Sequence, residues 1–155
     1  MSAEHRNSET GSSGTILIID RDRNGSDSLG NILSEFGYQI RREPDHLAAL
    51  DALARGDSVD LVIAAARKAD DGGLEFLSVM QRRFPDLPTI VVSDDSSVEG
   101  YLKAVNIGVF DYLIRPVFMP ELNKVIRSAF RESRRSGPDA EHARVKARGA
   151  GSSPA

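Results

Sequence analysis

Short unbroken runs of apolar residues recur along this chain, and most are followed by a stretch in which apolar positions return every three or four residues. The runs have the length and β-branched content of strands, and the stretches between them have the period of amphipathic helices. Thr15-Ile16-Leu17-Ile18-Ile19-Asp20 is the first run and ends abruptly in charge at Asp20-Arg21-Asp22. Leu29, Ile32, Leu33 and Phe36 then share one helical face, with Ser26 or Asn24 as N-cap and Gly37 as the stop. Tyr38-Gln39-Ile40-Arg41 alternates like a half-exposed strand. Asp45 caps a second helix that shows Leu47, Leu50, Leu53 and Ala54 on one face and ends at Gly56.

The central run is Asp60-Leu61-Val62-Ile63-Ala64-Ala65-Ala66. No polar side chain follows Asp60 in it, so it is predicted to be buried on both faces, as strands of parallel sheets are. Leu74, Leu77, Met80 and Phe84 mark a third helix that Pro85 and Pro88 terminate, and Thr89-Ile90-Val91-Val92-Ser93 is the fourth strand. Ser96 and Glu99 have capping-box spacing and open a helix with Val98, Tyr101, Leu102 and Val105 facing inward, stopped near Gly108. Tyr112-Leu113-Ile114 is the fifth strand, and Pro120 starts a last helix striped with Leu122, Val125, Ile126 and Ala129.

Strands alternating with helices in this way predict an α/β protein: a doubly wound, five-stranded parallel sheet in the flavodoxin-like order 2-1-3-4-5, with helices on both faces. In such sheets a site forms beyond the carboxyl ends of the central strands. The central run delivers Ala64, Ala65 and Ala66 to that place. An alanine supplies no proton, lone pair or charge, so this strand reaches the site without bringing a reactive group.

Composition refines the picture. With 155 residues and 40% apolar content, the chain has room for one domain of ordinary size. Residues 1–14 hold no apolar residue larger than Met1 and alanine, and residues 132–155 are rich in Arg, Ser, Gly, Ala and Pro, so both ends are expected to be disordered around a domain at 15–131. There is no cysteine, hence no disulfide and no thiolate metal site. Nothing resembles a signal peptide or a membrane span, which points to a cytoplasmic location. The net charge of −3 is uneven: from Arg131 onward six Lys or Arg face three acids, which leaves about −6 on the rest. Three net positive charges on a flexible tail give only weak, salt-sensitive attraction to nucleic acid, so a nucleic-acid partner is not expected.

Five motifs, in order and in spacing, carry a family likeness: Ile16-Leu17-Ile18-Ile19-Asp20, Asp60-Leu61-Val62-Ile63, Gly73-Leu74, Ile90-Val91-Val92-Ser93, and Gly108-Val109-Phe110-Asp111-Tyr112-Leu113-Ile114-Arg115-Pro116. Together they resemble the receiver domain of two-component response regulators over roughly residues 15–131. The resemblance implies a signalling module that is phosphorylated on an aspartate with the help of magnesium. Carried over residue by residue, Asp20 matches the first of the family's paired acids, but Arg21 stands where the second, a magnesium ligand, would be. The phosphoacceptor position falls on Ala65. Ser93 keeps the hydroxyl that contacts the phosphoryl group, Arg115 replaces the lysine, Pro116 keeps the following proline, and Tyr112 occupies the aromatic switch position.

Alanine cannot act as the carboxylate nucleophile of aspartyl phosphorylation, and magnesium is poorly served by one matching acid beside two permanently charged guanidinium groups. The pocket of Asp20, Arg21, Asp22, Ala65, Ser93 and Arg115 is therefore expected to hold an internal ion-pair cluster in place of the metal, with no catalysis and no cofactor. Asp70 and Asp71 are better explained by a turn than by a displaced phosphoacceptor. The expected function is phosphorylation-independent binding of another signalling protein. The resemblance places the contact face on the fourth helix, fifth strand and fifth helix, through Lys103, Asn106, Tyr112 and Phe118, where a homodimer is the other arrangement. An alternative is a small-anion or metabolite sensor built on Arg21, Ser93 and Arg115, because Arg forks suit phosphate and carboxylate. An enzyme holding a flavin or nucleotide is a weaker reading, since Gly25 alone makes no phosphate loop after the first strand.

Overall fold

The structure, a computed structural model, describes residues 14–21, 23–66 and 73–134. Most of the two ends expected to be disordered, residues 1–13 and 135–155, lies outside the described residues, as do Asp22, Asp70 and Asp71; of the expected tail, residues 132–134 are described and belong to the last helix. Five strands alternate with five helices: β1 Thr15–Ile19, α1 Arg23–Glu35, β2 Gln39–Glu43, α2 His46–Ala54, β3 Leu61–Ala66, α3 Gly73–Arg83, β4 Thr89–Ser93, α4 Val98–Ile107, β5 Asp111–Ile114 and α5 Met119–Arg134. All four strand pairings are parallel, in the order β2-β1-β3-β4-β5. The predicted class, strand order and two-sided helix cover are those observed.

β3 sits at the centre because it alone is apolar along its whole length. Its alternating side chains feed two cores, one on each face of the sheet. Ile63 joins Ile16, Ile18, Ile90, Val92 and Leu113 under Leu33 of α1 and Leu122, Ile126, Ala129 and Phe130 of α5. Val62 and Ala64 join Leu17, Ile19, Val91 and Tyr112 under Ala49 and Leu53 of α2, Phe76, Leu77 and Met80 of α3, and Ala104 of α4. Tyr38, just before β2, closes the first core at its edge: its ring tilts against Phe130 at 5.5 Å and its hydroxyl donates to Asn123 Oδ1 at 2.9 Å. Burial raises the Tyr38 phenol above its ordinary range, an effect that the nearby Arg127 guanidinium partly offsets.

Three helices depart from the sequence reading in detail. α1 already runs from Arg23, so Asn24 and Ser26 lie within it and neither is its N-cap. On α2, Asp45 caps as expected, its carboxylate accepting from Ala48 N–H at 2.8 Å, but Leu47 is 79% exposed and Ala54 is exposed too, while Ala49 and Ala52 are buried. α4 is capped by Ser97, one residue after the expected Ser96, and turns Gly100 and Ala104 to the core, leaving Val98, Tyr101 and Leu102 outside. The reason is common to both faces: a helix lying close on a sheet puts its smallest side chains at the contact, and hydropathy alone does not reveal that choice. Gly108 ends α4 at φ 115, a left-handed conformation in which a side chain would be strained and would also meet Gln81.

Candidate functional site

Beyond the carboxyl ends of the strands, four elements bring polar groups together. β1 delivers Asp20, which is largely buried and whose backbone N–H donates to the Glu43 carbonyl at 3.2 Å. β3 delivers Ala65 and Ala66, both half-buried. β4 delivers Ser93, only 1% exposed, and β5 leads into Arg115, whose peptide bond to Pro116 is cis. The register pairs Ala66 with Ser93, and Ser93 with Ile114, so Arg115 follows one residue beyond the level of Ala66 and Ser93.

Arg115 ties these ends together. Its backbone N–H donates to the Ser93 carbonyl at 2.9 Å, and its Nη1 donates to the Ala66 carbonyl and to Asp94 Oδ1, both at 3.2 Å. Its Nη2 stands 3.9 Å from Asp20 Oδ2, at the outer limit of an ion pair. Because Arg115 and Asp94 are both substantially solvated, their pair is worth under about 1 kcal/mol, and its effect is on position more than on stability.

Arg21 does not join this group. It is exposed in a bend past the end of β1, and it forms no ion pair among the described residues. The expected cluster is corrected accordingly: Asp20 and Arg115 meet, Asp94 supplies a second acid to Arg115, Arg21 stays outside, and Asp22 is outside the described residues. The strand's alternation explains the outcome, since Asp20 points inward and its neighbour must point out. The anion pocket of Arg21, Ser93 and Arg115 fails for the same reason. Ser93 Oγ is buried and accepts from Asp95 N–H at 2.9 Å, so no guanidinium fork faces a free hydroxyl.

The family's magnesium does not fit these residues. It prefers an octahedron of hard oxygens; here Asp20 has Arg115 beside it, and no group of three His, Asp or Glu able to hold a metal exists among the described residues.

The loop from β4 into α4 is built on Asp95. Its carboxylate accepts from Ser97 N–H at 2.9 Å, which together with the Ser97 hydroxyl holds its pKa below the ordinary carboxylate range. Its carbonyl accepts from the Tyr112 hydroxyl at 2.9 Å. Tyr112 is thus an inward residue, 9% exposed, with Tyr101 packed edge-on against it at 5.8 Å. This corrects its expected role as a partner contact: a buried, hydrogen-bonded ring cannot present itself to another protein. Of the other residues expected at that face, Lys103 is half-exposed and pairs with Glu99 at 3.1 Å, Asn106 is exposed, and Phe118 is 68% exposed. Among the described residues, five of the seven exposed large apolar ones lie on this side of the fold: Val98, Tyr101, Leu102, Ile114 and Phe118. Tyr101, Leu102 and Ile114 were missed as surface groups because their apolar character reads as core.

Fold and pocket together define a flavodoxin-like α/β module with its polar groups gathered at the carboxyl edge of a parallel sheet. A family profile described as the response regulator receiver domain matches residues 16–127. The chain is 31% identical over 121 residues to the DNA-binding transcriptional regulator NtrC of Rhizobium meliloti (strain 1021), covering 78% of this chain and 25% of that protein. It is 34% identical over 127 residues to the response regulator MprA of Mycobacterium sp. (strain KMS), covering 80% of this chain and 54% of that one. The chain thus spans about a quarter to a half of the length of these relatives. Among solved structures, the signal receiver domain of an HD domain-containing protein from Pseudomonas fluorescens Pf-5 superposes with a TM-score of 0.72 at 28% identity, over 80% of this chain and 99% of that one. The chain belongs to the response regulator receiver family. Among the described residues, no helix is long and apolar enough to cross a membrane.

Proposed function

We propose that this receiver works without aspartyl phosphorylation, as a module that binds another signalling protein and catalyses nothing itself. The observation that carries the reading is Ala65 at the carboxyl end of the central strand, where the phosphoacceptor would stand, with Arg115 held beside it by Ala66, Asp94 and Asp20. A methyl group cannot attack a phosphoryl donor, and the neighbouring guanidinium places a permanent positive charge 3.9 Å from Asp20. Incubation with acetyl phosphate and magnesium is therefore expected to leave the intact mass unchanged. A base-labile gain of one phosphoryl group would overturn the reading.

The partner face proposed is the side formed by α4, β5 and the start of α5. Its support is the concentration there of exposed apolar groups, with Lys103 and Asn106 among them. Large aromatic side chains often dominate the energy of such contacts. Changing Tyr101→Ala and Phe118→Ala together is expected to weaken capture of the partner by at least about tenfold, while Ala65→Ser leaves it unaltered. Quantitative pull-downs with mass spectrometry measure both. Equal capture by the folded double variant would put the contact elsewhere.

A further inference from the structure

Between the sheet and the inner sides of α3 and α4 lies a cavity of about 40 Å³. Ala64 and Ala66 of β3, Val91 and Ser93 of β4 and Tyr112 of β5 form its floor; Leu74 and Leu77 of α3 and Gly100 and Ala104 of α4 form its roof. His46, its ring stacked on Phe76 at 4.5 Å, stands at the side, where half-buried Ala65, Ala66, Gly73 and Leu74 connect the cavity to the surface. The space exists because Ala64 and Ala66, small residues on the same face of β3, lie opposite a helix that turns a glycine and an alanine inward.

We infer that this cavity is a binding site for the branched aliphatic end of a small ligand, such as an isopropyl or isobutyl group. Its volume is roughly three times what one water needs, which corresponds to a compact cluster of three or four non-hydrogen atoms. Water itself is a poor guest, because it requires two to four polar partners. Two polar groups of the wall are engaged within the fold, the Ser93 hydroxyl accepting from Asp95 N–H and the Tyr112 hydroxyl donating to the Asp95 carbonyl, and the His46 ring lies at the side against Phe76. The rest of the wall is mainly alanine, leucine, valine and phenylalanine surface. An apolar guest regains the dispersion contacts that this surface lacks, while any polar remainder of the ligand stays at the mouth.

The cavity shares Ser93 with the failed anion pocket, but neither guanidinium group lines it. Its roof is the inner side of the same helix whose outer side carries Tyr101 and Leu102, so a guest presses on that helix. That consequence rests on the proposed partner face; the site does not.

The test uses isobutanol as probe and the methyl resonances of the whole chain, with no partner present. Burying four carbons supports a Kd on the order of millimolar. The expected result is saturable shifts confined to Leu74, Leu77, Val91 and the three β3 alanines, with binding at least about tenfold weaker in Ala66→Leu, whose side chain occupies the space. Pressurised xenon, a wholly apolar probe, should perturb the same methyls. Shifts that do not saturate, that scatter over the surface, or that persist in Ala66→Leu would overturn the assignment. Should that variant fail to fold, the methyl map of the unaltered chain decides the matter.

Discussion

Ile63→Ala should lower the unfolding free energy by about 3–4 kcal/mol, the largest loss expected from any single change in the central strand. Ile63 is fully buried, pairs in register with Ile18 and Ile90, and packs beneath helices of the α1–α5 layer. Truncation removes three carbons from a site whose neighbours are sheet residues with no freedom to close the gap, so a cavity cost adds to the transfer cost. For a domain whose total stability is of order 5–15 kcal/mol, that is a substantial fraction. In urea the midpoint should fall by roughly 2 M with little change in slope. Two residues further on, Ala65→Ser should stay within about 0.5 kcal/mol, because the position is half-buried at the strand's open end. Comparable losses at both positions would mean that β3 is not divided into a structural half and a site half.

That division was visible in the sequence because burial on both faces demands an unbroken apolar run, and only a parallel sheet wrapped by helices provides it. Ile63 and Ala65 are therefore legible as core and site from local pattern. The orientation of α4 was not: Tyr101 and Leu102 outweigh Gly100 and Ala104 in hydropathy, yet the close approach of helix to sheet selects the small pair. Tyr112 was misassigned for a related reason. Strand alternation says that it takes one face of β5, but its burial depends on α4 lying over that face and on Asp95 offering a carbonyl to its hydroxyl, and both are tertiary facts. At the pocket, Asp20 and Arg115 could be paired from their strand ends, whereas the inclusion of Asp94 and the exclusion of Arg21 depend on which way each side chain leaves its strand.

Rebuilding the metal site separates a pocket that lacks one group from a pocket whose charge has been reversed. Ala65→Asp alone supplies a carboxylate next to Ala66, whose carbonyl already receives Arg115. The new acid should pair with that guanidinium, so the variant should fold and remain indifferent to magnesium. Adding Arg21→Asp removes a cation adjacent to Asp20 and brings a further hard oxygen donor to the same loop. Three acids then stand at the ends of β1 and β3 with Arg115 as the neighbouring cation, and their repulsion should lower the stability of the metal-free double variant. Magnesium relieves that repulsion by binding only the folded state: at a hundred times its dissociation constant it should return about 2.7 kcal/mol. For a domain of this size the corresponding rise in Tm is roughly 8–12 °C. Melting curves with and without magnesium, on both variants and on the unaltered chain, make the comparison. A single variant that responds as fully as the double one would show that the charge at Arg21 is no obstacle to the ion, and that Ala65 by itself accounts for the loss of the metal site.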